Sequence, residues 1–296
     1  MEFREELEQR VLYVEDVIKK YLPKEEGFQK TVIEAMNYSV MAGGKRLRPM
    51  LMLESFRLLG GTDESQVEPF MAAMEMIHTY SLVHDDLPAM DDDELRRGRK
   101  TTHVVYGEAM GILAGDALLN YGYEIAGSAF FNGANLDNAT KAFAILAKKA
   151  GIYGMVGGQS VDVENCDRPM EQDKLNFIYA LKTSALIEAS MMIGATMAGA
   201  NKEQVRDIRK AAQRVGLAFQ IQDDILDVVG DEEQIGKPLN SDDKNHKTTY
   251  VTLFGVEKAK GEVERLSQEA IGLLRSFPCR NLFLEDLVKY LISRQK

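Results

Sequence analysis

The sequence contains no tryptophan, only two cysteines and seven prolines. The cysteines, Cys166 and Cys279, lie far apart and match no metal-ligand spacing. We therefore expect a reduced, cytoplasmic chain without a disulfide scaffold. Prolines are few, and no long stretch alternates between polar and apolar residues as a strand would. Helix is the expected secondary structure.

Positive charge is also scarce: 36 Lys and Arg residues stand against 46 Asp and Glu residues, for a formal net charge of -10. An overall field of this sign argues against a protein that binds nucleic acid. With 45% hydrophobic and 28% charged residues, the composition is that of a globular protein and excludes intrinsic disorder.

The sequence predicts no membrane-spanning segment. The most apolar stretch, 185–200, contains Glu188 and is shorter than the ~20 residues that a bilayer requires, so we expect a buried helix there. Residues 1–20 mix acids and bases without an apolar centre, which argues against a secretion signal or an anchor. We expect no membrane insertion.

Apolar residues recur at intervals of three and four through most of the chain, as in amphipathic helices. This periodicity predicts roughly nine or more helices. They cover residues 7–21, 31–41, 47–59, 67–84, 111–131, 140–155, 170–193, 201–229 and 256–274. The breaks carry turn residues, and none resembles a flexible linker. We therefore predict an all-α fold that forms a single domain over residues 1–296.

A first cluster of acidic residues, 84–94 (HDDLPAMDDDE), follows an apolar helical segment. So much like charge in one place is unfavourable unless a cation binds there. On an ideal helix Asp85 and Asp91 are about 600° apart and share no face, whereas Asp92 lies nearer to the face of Asp85. Pro88 can distort the helix and bring Asp91 back. Spacing leaves both aspartates open as partners of Asp85.

A second cluster, 220–227 (QIQDDILD), places Asp223 and Asp227 four residues apart on one helix face. Two such clusters suit Mg²⁺, which takes oxygen ligands and often keeps substrate phosphates in its shell. We therefore expect several Mg²⁺ ions bound together with a diphosphate. In the alternative, each cluster is a solvated helix end, but two clusters of similar spacing argue against it.

An acidic protein that binds an anion must gather its positive charge locally, and three groups of residues do so. In 43–49 (GGKRLRP), Gly44 permits close backbone approach, and Lys45 and Arg48 suit phosphate oxygens. The second group is 95–100 (LRRGRK). The third is dispersed over Lys182-Thr183, Lys237 and Lys247-Thr248. Taken singly, each could be a solvated surface patch.

The GGK fragment does not complete a nucleotide-binding P-loop. Ser39 stands where that motif has its first glycine, and Arg46 stands where it has Ser or Thr after the lysine. A nucleotide is therefore not the expected anion.

The order and spacing of these motifs resemble those of the trans-isoprenyl diphosphate synthases, most closely the bacterial farnesyl diphosphate synthases. The shared motifs are GGKRLRP, DDxxxxD followed by LRRG, FQxxDDILD and GKP. The resemblance implies a helical bundle around a deep central cavity, usually as a homodimer. The sequence departs from the family at 99–102 (RKTT), where relatives commonly have Lys-Pro-Thr after the glycine. The conformation after Arg97 is therefore open.

The resemblance also implies roles for individual residues. It assigns Mg²⁺ on the allylic diphosphate to Asp85, Asp86, Asp91, Asp223, Asp224 and Asp227. It assigns isopentenyl diphosphate to Gly44, Lys45, Arg48, His78 and Arg97. It assigns the allylic substrate to Arg96, Lys182, Thr183, Gln220 and Lys237, with Lys247 at a less constant position. The residues expected to act in catalysis are Asp85, Asp86, Asp91, Lys182, Thr183, Gln220 and Asp223.

The implied reaction joins isopentenyl diphosphate to dimethylallyl or geranyl diphosphate by ionisation, condensation and elimination, giving (2E,6E)-farnesyl diphosphate. Metal ions, Lys and Arg would stabilise the charge that develops on the leaving diphosphate, and no nucleophile is needed. By resemblance, Tyr80 is the bulky floor that sets product length. On an ideal helix Ser81 faces Asp85 more closely, at about 40° against about 140° for Tyr80. A C20 product is the alternative.

Three other functions share parts of this pattern. A di-iron bundle would use Glu75 and His78 as an ExxH motif, but it needs a second such motif, and the sequence has none. A terpene cyclase would share the acidic motifs but would not need the GGKRLRP segment for a second diphosphate. A noncatalytic subunit would be expected to lose acidic ligands, and both clusters are intact.

Overall fold

The structure, a computed structural model, describes residues 2–165, 170–229 and 248–293. Over these residues it consists of fourteen α-helices, short 3₁₀ and π-helical turns and one two-stranded hairpin, so the predicted all-α class is confirmed. Lys237, Lys247 and Cys166 lie outside the described residues. Contacts divide the chain into two compact units, Met1–Leu53 with Asp63–Phe143, and Glu54–Thr62 with Ala144–Lys296. One domain over residues 1–296 stays a prediction.

The helices up to the middle of the chain are bounded as follows: α1 (Phe3–Lys20), α2 (Lys30–Val40), α3 (Leu47–Leu58), α4 (Glu68–Asp85), α5 (Thr102–Tyr106), α6 (Glu108–Ser128) and α7 (Leu136–Ala150). A 3₁₀ turn (Glu64–Gln66) precedes α4, and the hairpin strands β1 (Leu95–Arg96) and β2 (Arg99–Lys100) follow it. Helix α4 is apolar on every side and largely buried, as expected of a core helix. Gly122 of α6 meets it closely, because a Cβ there would lie 3.0 Å from Cγ1 of Ile77.

The later elements are α8 (Met155–Glu164), α9 (Gln172–Ile178), a π-helical turn (Tyr179–Thr183), α10 (Ser184–Met197), α11 (Lys202–Val229), α12 (Tyr250–Phe254), α13 (Val256–Arg275) and α14 (Leu282–Ser293). Helix α10 is the buried helix predicted around Glu188. The Glu188 carboxylate is buried but paired with Lys149 at 2.6 Å and Arg209 at 3.0 Å. Such pairing is what allows a charge inside a core helix.

One continuous helical stretch among the described residues, Gln172–Met197, is long and apolar enough to cross a membrane. Length and composition alone make it a candidate, and 67% of its most apolar window is buried inside the protein. The core helices of globular proteins have the same properties, so this stretch adds little support for a membrane span.

One predicted helix boundary is wrong, and the conformation left open after Arg97 is now defined. The helix predicted over 140–155 ends earlier, because α7 ends at Ala150 and α8 begins only at Met155. Gly154 makes the tight turn between them, where a Cβ would lie 1.9 Å from the carbonyl oxygen of Lys149. The chain after Arg97 forms a β-hairpin: Arg97 (φ 55°) and Gly98 (φ 73°) are both left-handed, as in a two-residue type I′ turn.

Candidate active site

The first acidic cluster begins where α4 ends, at Asp85. The chain then turns back, so that the N–H of Asp91 donates to the carbonyl of Asp85 at 2.9 Å. The N–H of Asp92 instead donates to the carbonyl of Leu87 at 3.2 Å, and Asp92 is left-handed (φ 53°). Because the helix stops, the six-residue spacing no longer separates Asp85 from Asp91. Spacing alone could not decide whether Asp91 or Asp92 lies near Asp85. The backbone hydrogen bond brings Asp91 close to Asp85.

The second aspartate of this cluster, Asp86, is buried and bound by the hairpin. Its two carboxylate oxygens accept from Nε of Arg96 at 2.8 and 2.9 Å. Burial raises the pKa of Asp86, while the hydrogen bonds from Arg96 act in the opposite direction. The pair ties the end of α4 to β1. Asp86 could ligate a metal only if this bidentate contact rearranged, so its metal role stays a prediction.

The GGKR segment meets the same hairpin. The Arg97 guanidinium donates to the carbonyl of Gly43, and a Cβ on Gly44 would lie 2.5 Å from Nη1 of Arg97. The positive φ of Gly44 (133°) favours glycine at this position, and a larger residue there would have to displace the end of the Arg97 side chain. The Lys45 side chain is exposed.

The Arg46 side chain points into the protein, so it does not share the phosphate-binding role predicted for Lys45 and Arg48. It is buried, pairs with Glu75 at 2.8 Å and donates to the carbonyl of Val40 at 2.8 Å. Nη1 of Arg48 lies 3.1 Å from Nε2 of His78. Burial, and then the positive charge of Arg48, lowers the pKa of His78 well below its ordinary value, so the neutral ring accepts this hydrogen bond. Both members of the ExxH motif thus have arginine partners.

A pocket within the first compact unit is lined by cationic side chains of the hairpin. Arg96, Arg97 and Lys100 line it together with Asp86 and Thr101. The structure therefore brings together two of the residues predicted for diphosphate binding, Arg96 and Arg97, beside the first acidic motif.

Tyr80 and Ser81 differ sharply in their surroundings. The Tyr80 side chain is only 6% exposed and packs edge-on against His84, with ring centroids 5.8 Å apart. Burial, then proximity to Tyr123, raises the pKa of Tyr80 to about 12. The Ser81 hydroxyl donates to the carbonyl of His78 at 2.8 Å within α4. Of these two residues, only Tyr80 has a side chain large enough for the predicted floor.

The second acidic motif lies near the end of α11, and its members divide in the same way as those of the first. Asp223 and Asp227 are partly exposed, whereas Asp224 is buried. Oδ2 of Asp224 accepts from the Tyr179 hydroxyl at 2.5 Å and from the Tyr250 N–H at 2.9 Å. Asp224 therefore joins α11 to the π-helical turn and to the first residue of α12. Spacing gave no signal that the middle aspartates would be buried.

The π-helical turn carries two of the predicted allylic-substrate residues, Lys182 and Thr183. The Thr183 hydroxyl donates to Oε1 of Gln220 at 2.7 Å, and Nε2 of Gln220 lies 3.4 Å from Oδ1 of Asp224. Lys182 pairs with Asp162 of α8 at 2.6 Å. A cavity of about 120 Å³ is lined by these five side chains among others. Turns of this kind occur frequently at functional sites. Sequence reasoning missed Asp162, because a lone acid in α8 belongs to no cluster.

The donor chemistry fits Mg²⁺ held jointly with a diphosphate. Among the described residues, no three His, Cys, Asp or Glu side chains are grouped so that they could hold a metal alone. Mg²⁺ usually takes one or two carboxylates and completes its shell with water and substrate phosphates. Each motif offers two carboxylates beside its buried member: Asp85 and Asp91 in the first, Asp223 and Asp227 in the second.

Comparison with known proteins agrees with these features. The family model described as polyprenyl synthetase matches residues 29–283. A geranylgeranyl diphosphate synthase of Cyanophora paradoxa is 41% identical, covering 97% of this chain and 95% of its own. A farnesyl diphosphate synthase of Geobacillus stearothermophilus is 45% identical, covering 83% and 82%. The crystal structure of a Helicobacter pylori geranyltransferase complexed with magnesium and isoprenyl diphosphate has TM-score 0.83 and 31% identity, covering 99% and 97%.

The division within the second motif predicts unequal effects on stability. Asp224→Asn should lower the free energy of unfolding by about 2 kcal/mol, because it weakens buried hydrogen bonds to a charged acceptor. Asp223→Asn should lower it by less than about 1 kcal/mol, because contacts of a partly exposed carboxylate contribute little. Thermal unfolding of both variants without substrate measures this difference. Equal losses would contradict the structural role of Asp224.

Proposed function

The chain belongs to the polyprenyl synthetase family, and from this membership we propose that it condenses isopentenyl diphosphate head-to-tail with dimethylallyl or geranyl diphosphate. The product is (2E,6E)-farnesyl diphosphate. The family assignment made from GGKRLRP and the two acidic motifs is confirmed. The di-iron alternative loses its basis, since Glu75 and His78 contact arginines.

One observation carries the proposal: each acidic motif shares a pocket with cationic side chains. Arg96 and Arg97 stand beside Asp86, and Lys182 stands beside Asp224. A diphosphate bound with Mg²⁺ needs both kinds of charge: carboxylates for the metal and cations for the phosphate oxygens. The magnesium and isoprenyl diphosphate in the Helicobacter structure give independent support for this chemistry.

The reaction begins when the carbon–oxygen bond of the allylic diphosphate breaks and the bonding electrons leave with the diphosphate. Lys182 binds that leaving group and stabilises its growing charge. Arg96 is the residue of the first unit that the family resemblance assigns to the same substrate. Asp85 and Asp91 in the first motif, and Asp223 and Asp227 in the second, would hold Mg²⁺, which would supply Lewis-acid stabilisation to diphosphate oxygens.

The remaining allylic carbocation is positively charged and must be kept from water. The oxygen dipoles of Thr183 and Gln220, aligned by their mutual hydrogen bond, favour positive charge near them. The double bond of isopentenyl diphosphate then attacks the cation and forms the new carbon–carbon bond. The adduct loses a proton to the released diphosphate, which restores a double bond and balances the charge.

The second diphosphate belongs to isopentenyl diphosphate, which Lys45, Arg48 and Arg97 bind. His78 is uncharged and accepts from Arg48, so it orients that guanidinium without adding charge of its own. Lys237 and Lys247, which the resemblance assigns to the substrates, lie outside the described residues.

A homodimer in the cytoplasm completes the proposal. Four large apolar side chains of α5 and α6 are exposed: Val104, Val105, Ile112 and Leu113. An apolar surface of this kind suits burial against another protein. The sparse, widely spaced cysteines support a reducing compartment such as the cytoplasm.

The condensation is tested with labelled isopentenyl diphosphate, each allylic primer in turn, and Mg²⁺ or EDTA. We expect a prenyl product only when both substrates and Mg²⁺ are present, because both diphosphates must be bound and the leaving group stabilised. Chromatography of the dephosphorylated alcohols identifies it. Conversion of the allylic primer alone would indicate a terpene cyclase and overturn the proposal.

Product length is tested at Tyr80. Relatives include both C15 and C20 synthases, and the bulk of Tyr80 favours C15. Tyr80→Ala removes the ring and should shift the main product to C20 or longer. Ser81→Ala, its matched neighbour, should leave C15 as the main product. Unchanged C15 output from the Tyr80 variant would remove the floor role.

A further inference from the structure

Helix α8 supports the π-helical turn through a glycine. Gly158 faces the turn so closely that a Cβ there would lie 2.2 Å from the backbone nitrogen of Lys182. Any larger residue at 158 would push the turn away. The backbone of Lys182 is therefore placed by direct contact with α8.

The same helix also holds the side chain of Lys182. Asp162 lies four residues after Gly158, which puts both residues on one face of α8. Its carboxylate is 2.6 Å from Nζ of Lys182, and the two side chains are 24% and 32% exposed. One helix face thus contacts both the backbone and the ammonium group of a single lysine.

We propose that Asp162 is a positioning residue that orients Lys182 toward the leaving diphosphate, an inference that rests on the proposed condensation. A lysine ammonium has three N–H donors on a flexible stem. The contact with Asp162 uses one of these donors and holds the ammonium in the cavity. The flexible side chain is then already ordered before substrate arrives, which lowers the entropy lost on binding.

A competing interpretation is that Asp162 merely neutralises Lys182 until substrate displaces it. That latch would require only the side-chain contact, whereas Gly158 places the lysine backbone from the same face of α8. The two interpretations also predict opposite effects when the carboxylate is removed. A latch opposes diphosphate binding, and a positioning residue promotes it.

The test compares Asp162→Asn, Lys182→Met and the double variant in the full chain. Asp162→Asn should lower kcat about tenfold, because the ion pair with Lys182 is lost and only a weaker hydrogen bond to a neutral amide remains. The KM for the allylic substrate should change less than about threefold, since the interaction strengthens as charge develops on the leaving group. In the Lys182→Met background, Asp162→Asn should have no further effect. Asp162→Glu should restore most of kcat.

Calorimetry with inorganic diphosphate and Mg²⁺ gives a readout without turnover. Asp162→Asn should weaken diphosphate binding about tenfold, in parallel with kcat. The matched control is Asp137→Asn, which removes a carboxylate from an exposed pair with Lys141 and should change neither quantity. Thermal unfolding checks that each variant is folded at the assay temperature.

Three results would overturn the inference: tighter diphosphate binding in Asp162→Asn, an unchanged kcat, or fully additive effects with Lys182→Met. A wild-type protein that forms no prenyl product would instead contradict the proposed function. In that case the calorimetric comparison still tests whether Asp162 positions Lys182 for a diphosphate.

Discussion

Repulsion between carboxylates is the constraint on which this site depends. Acidic side chains gathered at the end of one helix stay ionised only if positive charge or hydrogen-bond donors stand among them. The protein supplies part of that compensation itself. Arg96 binds Asp86, and Tyr179 with the Tyr250 amide binds Asp224. The carboxylates on either side of these two are more exposed, and we propose that metal ions and their diphosphate bind there.

The burial of the middle aspartates links the acidic motifs to the basic ones. Asp86 holds the hairpin that carries Arg96 and Arg97, and Asp224 holds the turn that carries Lys182. The buried aspartate of each acidic motif therefore also fixes the cationic side chains that we propose bind the diphosphate. Two glycines allow the close packing at these places: Arg97 packs against Gly44, and the π-helical turn packs against Gly158.

Sequence reasoning predicted the long periodic helices, such as α4 and α11, because burial of one face imposes a repeat that can be read directly. It also grouped Lys182, Thr183 and Gln220, which the structure places in one cavity. It missed the π-helical turn, the short helices and Asp162, which depend on contacts between distant segments. Helix α14 was missed although its apolar residues recur at helical spacing. Arg46 shows the same limit: its neighbours in GGKRLRP gave no sign that it would pair with Glu75 inside the core.

Linkage between Mg²⁺ and diphosphate is the central claim, and isothermal titration of Mg²⁺ measures it most directly. The wild-type protein should bind several Mg²⁺ ions strongly when inorganic diphosphate is present and only weakly without it, because the anion completes the metal shell. Asp85→Asn and Asp223→Asn should each reduce that diphosphate-dependent binding. A Mg²⁺ affinity that is the same with and without inorganic diphosphate would contradict the account.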